Sequence, residues 1–405
     1  MLKTFLLSVF FTICLTITAQ NPTCNGFRYL FQIFFEASKE ENILYGQAMT
    51  PAGVMQDLFL DVYYPLGDTI SDRPLIIFIH GGPFSGGSKE DVEEICRRYA
   101  ERGYVTVGID YRAFDLTLDA NTTEGQFIDW LVKATADAKA AVRFMRESII
   151  NDDPYRISDE NIFYAGISYG AVVALHAGIA DPTDDVGAAY LEAIQNNGGW
   201  EGNSNTIDQS SSVQAIASFS GALIDTDWLD LTDPLIIAFH DENDPIIPFT
   251  NGFLAPDGTN DLIEMKGSSL IADRAESNGS IFQLELIEGS DEHLSYFDDS
   301  SHDVPSTDST TSFYFDIHCN GILSDSFEEL NDEIILYPNP TVDRVTVKSD
   351  DPIESITVVS ISGEEVLRFS KTEVVDMSKL ENGLYYLMLE FQNGQNPALQ
   401  KIVKH

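Results

Sequence analysis

The 405-residue chain predicts an α/β fold, a doubly wound and mostly parallel sheet, followed by a small all-β domain of the β-sandwich kind. Short apolar runs such as Pro74 to His80 alternate with helical stretches of about ten residues or more. Apolar periodicity then lapses from Leu323 to Asp332, and the rest of the chain is a set of short β-rich segments separated by turn residues.

Taken in order, Phe27 to Ala37 and Leu58 to Tyr64 read as strands that lead antiparallel into the sheet. Pro74 to His80 is continuously apolar, as a strand buried on both faces must be. A helix from Lys89 to Arg102, a strand from Tyr104 to Asp110 and a long helix from Gln126 to Ser148 come next. The strand Asn161 to Ala165 and the helix Ser168 to Ile179 follow. Strands Val213 to Phe219 and Pro234 to His240, a helix from Ser268 to Ser277 and a strand from Ile281 to Leu286 complete the alternation, which implies parallel βαβ crossovers. Between Asp181 and Ser212 lies an insertion rich in Gly, Asn and Ser that contains Trp200; such insertions often roof a site. In the C-terminal module the expected strands are Ile334 to Tyr337, Val342 to Lys348, Ser355 to Ile361, Glu364 to Phe369 and Gly383 to Phe391.

Composition narrows the function. Hydrophobic residues make up 43 % of the chain, enough for a large core and a second small one. Lys and Arg number 23 against 65 Asp and Glu, and the resulting net charge of −42 argues against nucleic acid and anionic membranes as partners. Lys3, the apolar run Phe5 to Ile17 and the small residue Ala19 have the layout of a secretory signal peptide, with cleavage expected after Ala19. No later stretch has the roughly 18 apolar residues that a transmembrane helix needs. Of the four cysteines, Cys24, Cys96 and Cys319 remain after cleavage, in a compartment that permits disulfides. Cys24 and Cys319 flank the large domain and could clip its ends together, although sequence leaves the pairing open. With no CxxC pair and no EF-hand loop, no metal or organic cofactor is expected.

The chemistry concentrates in four segments. Gly166-Ile167-Ser168-Tyr169-Gly170 sits between a predicted strand and a predicted helix, the setting of a G-x-S-x-G nucleophile elbow. His80-Gly81-Gly82-Pro83-Phe84 ends the apolar strand, where glycine lets backbone amides approach a substrate oxygen; Pro83 lacks an amide hydrogen, so the oxyanion donors are expected from Gly82 and Tyr169. His80 itself reads as a structural residue of the loop. His240-Asp241-Glu242-Asn243-Asp244-Pro245-Ile246-Ile247-Pro248 follows the next-to-last strand, and His293 lies on the loop after the last one, with His302 and His318 as alternatives. The order Ser, Asp, His along the chain is that of a hydrolase triad.

These segments resemble the α/β-hydrolase esterases, in particular secreted bacterial carboxylesterases, over residues 74 to 298. The resemblance extends to the HGxxDxxVP segment, which puts the acid at Asp244 and leaves Asp241 in place of the customary glycine. It implies a mostly parallel α/β-hydrolase sheet and a serine carboxylic ester hydrolase in which Ser168 is the nucleophile, His293 the base and Asp244 its partner. Phe84, Tyr169, Trp200, Trp228 and Phe249 are aromatic candidates for the acyl site, with Phe84 and Trp200 foremost. The implied substrates are acetyl or feruloyl esters of polysaccharides, short acyl esters or polyesters. A peptidase similar to prolyl oligopeptidase is an alternative, though only about 50 residues precede the first buried strand where such enzymes carry a propeller. An inactive scaffold displaying a binding surface is the other.

The C-terminal module resembles the type A sorting domain of the type IX secretion system of Bacteroidetes. The resemblance rests on Leu336-Tyr337-Pro338-Asn339-Pro340, Ile361-Ser362-Gly363, Leu380-Glu381-Asn382-Gly383-Leu384-Tyr385-Tyr386 and the basic end with Lys401 and Lys404. It implies export across the outer membrane, with the secretion machinery as partner. The expected layout is a signal peptide at 1–19, a catalytic domain at 20–322, a linker at 323–333 and the sorting domain at 334–405.

Overall fold

The computed structural model describes residues 24, 27–82, 87–112, 122–254, 262–298, 300–320, 334–338, 341–349, 352–360, 365–380, 383–392 and 398–404. The expected signal peptide, the whole of the expected linker, and the Asn339-Pro340, Ser362-Gly363 and Asn382 turn residues lie outside them.

Eight strands form the main sheet: β1 (Ala37–Met49), β2 (Met55–Pro65), β3 (Arg73–Ile79), β4 (Val105–Ile109), β5 (Ile157–Ile167), β6 (Ala215–Phe219), β7 (Leu235–Asp241) and β8 (Phe282–Ile287). Their spatial order is β1-β2-β4-β3-β5-β6-β7-β8. Strand β2 pairs antiparallel with both of its neighbours, whereas every pairing from β4 to β8 is parallel. Strand β3 explains its own apolar run: Leu75, Ile77 and Ile79 enter one core and Ile76 and Phe78 the other, all fully buried. The first core also takes residues of α2 (Glu124–Ile150), α3 (Tyr169–Ile179) and α4 (Gly187–Asn196). The second takes those of α1 (Glu93–Ala100) and of a long helix near the end of the domain, Ser300–Phe315. Helices on both faces give the doubly wound form that the alternation predicts.

Three expectations change. Residues 27–36 are not a strand; their backbone caps the end of α1 instead, with the Tyr29 amide on the Arg102 carbonyl at 2.7 Å and the Ile33 and Phe34 amides on Glu101. Their aromatics reflect separate burials, Tyr29 at 0 % exposure, and not a pleated face, since Phe35 is 85 % exposed. The insertion after Asp181 contains the helix α4, and the stretch around His302, which shows no helical periodicity in sequence, is the helix Ser300–Phe315. That last helix is poor in intrinsic propensity and is held by packing: Tyr314 stacks on Phe163 at 4.4 Å and donates its hydroxyl to the Tyr164 carbonyl.

A disulfide joins Cys24 to Cys319 across 295 residues, and Cys96 is buried beside the sheet. In the C-terminal module, a three-stranded sheet (Ile335–Tyr337, Arg344–Lys348, Val374–Asp376) faces a four-stranded one (Ile353–Ser360, Glu365–Ser370, Gly383–Phe391, Ala398–Lys404). Val345 and Val347 from the first share a core with Ile356, Leu387 and Ile402 from the second, a β-sandwich as predicted.

Candidate active site

Between β5 and α3 the chain reverses in a single residue. Ser168 does so at φ 55° and ψ −124°, a conformation that L residues rarely adopt and that costs about 1–3 kcal/mol. The turn closes because its flanks have no side chains. A Cβ on Gly166 would lie 2.5 Å from Ala171 Cα, and one on Gly170 would lie 2.5 Å from the His80 carbonyl oxygen. Backbone bonds complete it: the Ser168 amide donates to Phe219 at 2.7 Å, and its carbonyl receives the first helical amide from Ala171 at 2.8 Å.

His293 Nε2 is 2.8 Å from Ser168 Oγ, and His293 Nδ1 is 2.7 Å from Asp244 Oδ2. The Asp244 side chain is fully buried, and its Oδ1 accepts the amides of Ile246 and Ile247 at 2.9 and 3.0 Å. Burial pushes this carboxyl up, but the bond to His293 and the two amides outweigh it and hold the group below the usual aspartate range. An ionised Asp244 takes a proton-bearing Nδ1, which leaves Nε2 as an acceptor for the Ser168 hydroxyl. That arrangement can draw the proton from a serine as it attacks an acyl carbon.

The loop after β3 runs against the serine. A Cβ on Gly81 would stand 3.1 Å from Ser168 Cβ, and Gly82 sits at φ 84°. His80 is buried, stacked on Tyr111 at 4.5 Å, with Nδ1 2.8 Å from the Gly81 carbonyl; burial lowers its pKa. It is thus a wedge beneath the loop. Tyr169 opens α3 and its ring is buried against Phe127. Phe84 and Pro83 lie outside the described residues.

Sequence reasoning missed how the acid and base loops are held. From Asp241 to Asp244, each residue reaches the histidine loop. Asp241 accepts from the Ser295 amide and hydroxyl, and the Glu242 carboxylate accepts the Gly289 amide at 2.6 Å. The Asn243 amide donates to the Ser290 carbonyl at 2.8 Å, and Asp244 meets His293. Behind them His240 is buried with Nδ1 on the Ser268 hydroxyl at 2.8 Å and Nε2 on the Ile247 carbonyl; burial depresses its pKa, so it packs as a neutral ring. The only sequence sign of this lacing was the replacement of glycine by Asp241.

Trp200 is not brought to the serine. It lines a small cavity with His176 and Ala180 towards the C-terminal end of α3, about 12 to 18 Å along the helix from Ser168 at 1.5 Å per residue, and its carbonyl accepts from Lys139. The reading of Trp200 as a substrate contact is therefore corrected: its segment of the insertion packs along α2, where Arg143 pairs with Glu201 and Asn205 donates to the Ala140 carbonyl. Among the rival histidines, His318 packs edge-on against Tyr29 near the disulfide, and the side chain of His302 lies outside those described. The one His/Cys/Asp/Glu cluster among the described residues with spacing suited to a metal is Cys24, His318 and Cys319, whose sulfurs are joined to each other.

An eight-stranded sheet with its second strand reversed, carrying this elbow at the end of β5, defines an α/β-hydrolase. Residues 60–233 match the BD-FAE family model, and residues 335–405 match the model of the secretion system C-terminal sorting domain. These matches support an esterase-like α/β-hydrolase fold followed by a C-terminal secretion sorting domain. The fold is similar to that of Thermogutta terrifontis esterase 2 phosphoramylated by tabun, at 19 % identity and a TM-score of 0.50 over 71 % of this chain and 97 % of that one. The native form of the same Planctomycetes enzyme aligns at 21 % identity and 0.48 over 71 % and 95 %. A truncated carbohydrate esterase from gut microbiota aligns at 15 % and 0.47 over 71 % and 98 %. No curated protein matches the chain by sequence. Among the described residues no helix is long and apolar enough to cross a membrane.

Proposed function

We propose that the protein is an exported serine esterase that cleaves carboxylic esters through an acyl-enzyme, with Ser168, His293 and Asp244 as its triad. The observation that carries this reading is the unbroken sequence of hydrogen bonds from Ser168 Oγ through the His293 ring to a buried Asp244. His293 Nε2 takes the hydroxyl proton as Ser168 Oγ attacks the ester carbon. Asp244 holds the ring and balances the imidazolium charge. The oxyanion is met by the backbone N–H groups of Gly82 and Tyr169, the latter at the positive end of α3. The imidazolium then protonates the departing alcohol, and water, activated by the same nitrogen, hydrolyses the acyl-enzyme.

The substrate class we assign is acetyl or feruloyl esters on polysaccharides or other short acyl esters, met outside the cell. The route is a signal peptide over 1–19, passage across the outer membrane of a Bacteroidetes-type bacterium directed by 334–405, and a catalytic domain over 20–322 joined by the linker 323–333. The peptidase reading gains nothing from residues 27–65, which form a loop and the β1–β2 hairpin in place of a propeller. Turnover of p-nitrophenyl esters from acetate to long chains, together with a feruloyl ester, tests the proposal. We expect activity on short or feruloyl esters and its loss in Ser168→Ala. Folded wild-type protein inert on the whole series would turn the reading towards a scaffold.

A further inference from the structure

We infer that Asp241 is a positioning residue for His293: its buried carboxylate grips Ser295, two residues past the histidine, and thereby fixes the turn that aims the imidazole at Ser168. This rests on the triad assigned above. Asp241 ends β7 and is 0 % exposed. Its Oδ2 accepts the Ser295 amide at 3.1 Å and its Oδ1 the Ser295 hydroxyl. Among the described residues it has no Lys or Arg ion-pair partner. A carboxylate without a cation at that depth is costly to bury unless its hydrogen bonds are met, and both of these bonds come from this one serine.

The segment it grips is strained. Leu294, between His293 and Ser295, sits at φ 64°, so the chain would relax elsewhere without an anchor. The next residue is gripped from the other side: Tyr296, buried at 1 %, donates its hydroxyl to Ser220 Oγ at 2.7 Å. Ser220 stands at φ 54° directly after β6, with its amide on the Phe239 carbonyl. The histidine loop is therefore tied to the ends of β6 and β7, which flank the serine's own strand on one side of the sheet. A glycine at 241 could form neither bond to Ser295.

The test uses full-length Asp241→Ala, Asp241→Asn and Ser295→Ala. It reads kcat per active site titrated with a fluorophosphonate, KM for p-nitrophenyl acetate, thermal midpoint, and the downfield proton resonance of His293 Nδ1. Asp241→Ala should lower kcat by up to about 100-fold, the scale of a displacement near 1 Å, with KM changed less than about twofold. Its downfield resonance should broaden or vanish. Ser295→Ala, which keeps the amide bond, should lose less, and Asp241→Asn, which keeps an acceptor, should restore most of kcat. A lower thermal midpoint with kcat per site and the resonance unchanged would make Asp241 merely structural and overturn the inference. Should Asp241→Ala fail to fold, Ser295→Ala and Asp241→Asn decide between the same outcomes. Folded wild-type protein inert on every ester would defeat the esterase reading instead, and turnover surviving in Ser168→Ala would defeat the triad, while the resonance, which needs no turnover, would still judge Asp241.

Discussion

The turn that carries Ser168 and the loops that carry Asp244 and His293 meet in one hydrogen-bond chain, yet different physics holds each. The serine turn is set by exclusion: two glycines, each packed where a Cβ would collide with backbone, leave Ser168 one conformation. The acid and base loops are set by attachment: the side chains of Asp241 and Glu242 bond the histidine loop after β8, and His240 holds the acid loop from behind through the Ile247 carbonyl. Exclusion tolerates no substitution; attachment should degrade by steps.

Breaking the steric side should have the largest effect. Gly170→Ala places a methyl group against the carbonyls of Ile79 and His80, both backbone atoms that cannot swing aside. Overpacking of this kind costs about 1–3 kcal/mol or more, and here it also displaces the nucleophile. We expect a lower thermal midpoint together with loss of esterase activity; retention of either near wild-type values would mean that the turn is looser than its contacts imply.

Asp244→Asn should come next, and should separate chemistry from folding. Asparagine can keep Oδ1 on the Ile246 and Ile247 amides, but its NH₂ would face His293 Nδ1 and favour the tautomer with a proton on Nε2, towards the serine. Loss of about 10⁴-fold in kcat is expected, as for a triad acid made neutral. Because the folded state holds this carboxyl below its usual range, ionised Asp244 adds stability above its unfolded pKa, about 3.9, and the gain fades as pH falls through the lower folded value. Chemical denaturation from pH 7 to pH 3 should therefore show the gap between wild type and Asp244→Asn constant above about pH 5 and narrowing below it.

The same contrast explains what could be read in advance. Steric demands leave marks in sequence: β3 shows as an unbroken apolar run, and the elbow as glycines spaced around a serine. Asp244 and His293 could be named only as loop positions after β7 and β8, since it is tertiary structure that brings residues 49 positions apart to 2.7 Å. The helix Ser300–Phe315 was illegible because its Ser, Thr and Pro content argues for a loop while Phe313 and Tyr314 bury against the sheet. Trp200 misled for a related reason: an aromatic in a glycine-rich insertion reads as a site roof, but the insertion follows the far end of α3. Asp241 stood out only as an exception to a pattern, with nothing local to show that its partner is Ser295.

Glu242 offers the finest cut at the comparison. It bonds the same loop as Asp241 does, taking the Gly289 amide at 2.6 Å, but it is exposed. Water can replace the carboxylate once it is removed, so the lost bond is partly restored by solvent, as it is not at the buried Asp241. Glu242→Ala should change kcat by less than about threefold and move stability by no more than about 0.5 kcal/mol, the usual range for a surface change. Steady-state kinetics beside Ser295→Ala give the direct contrast. A loss in Glu242→Ala as large as in Asp241→Ala would mean that the number of attachments, and not their burial, keeps the histidine aimed.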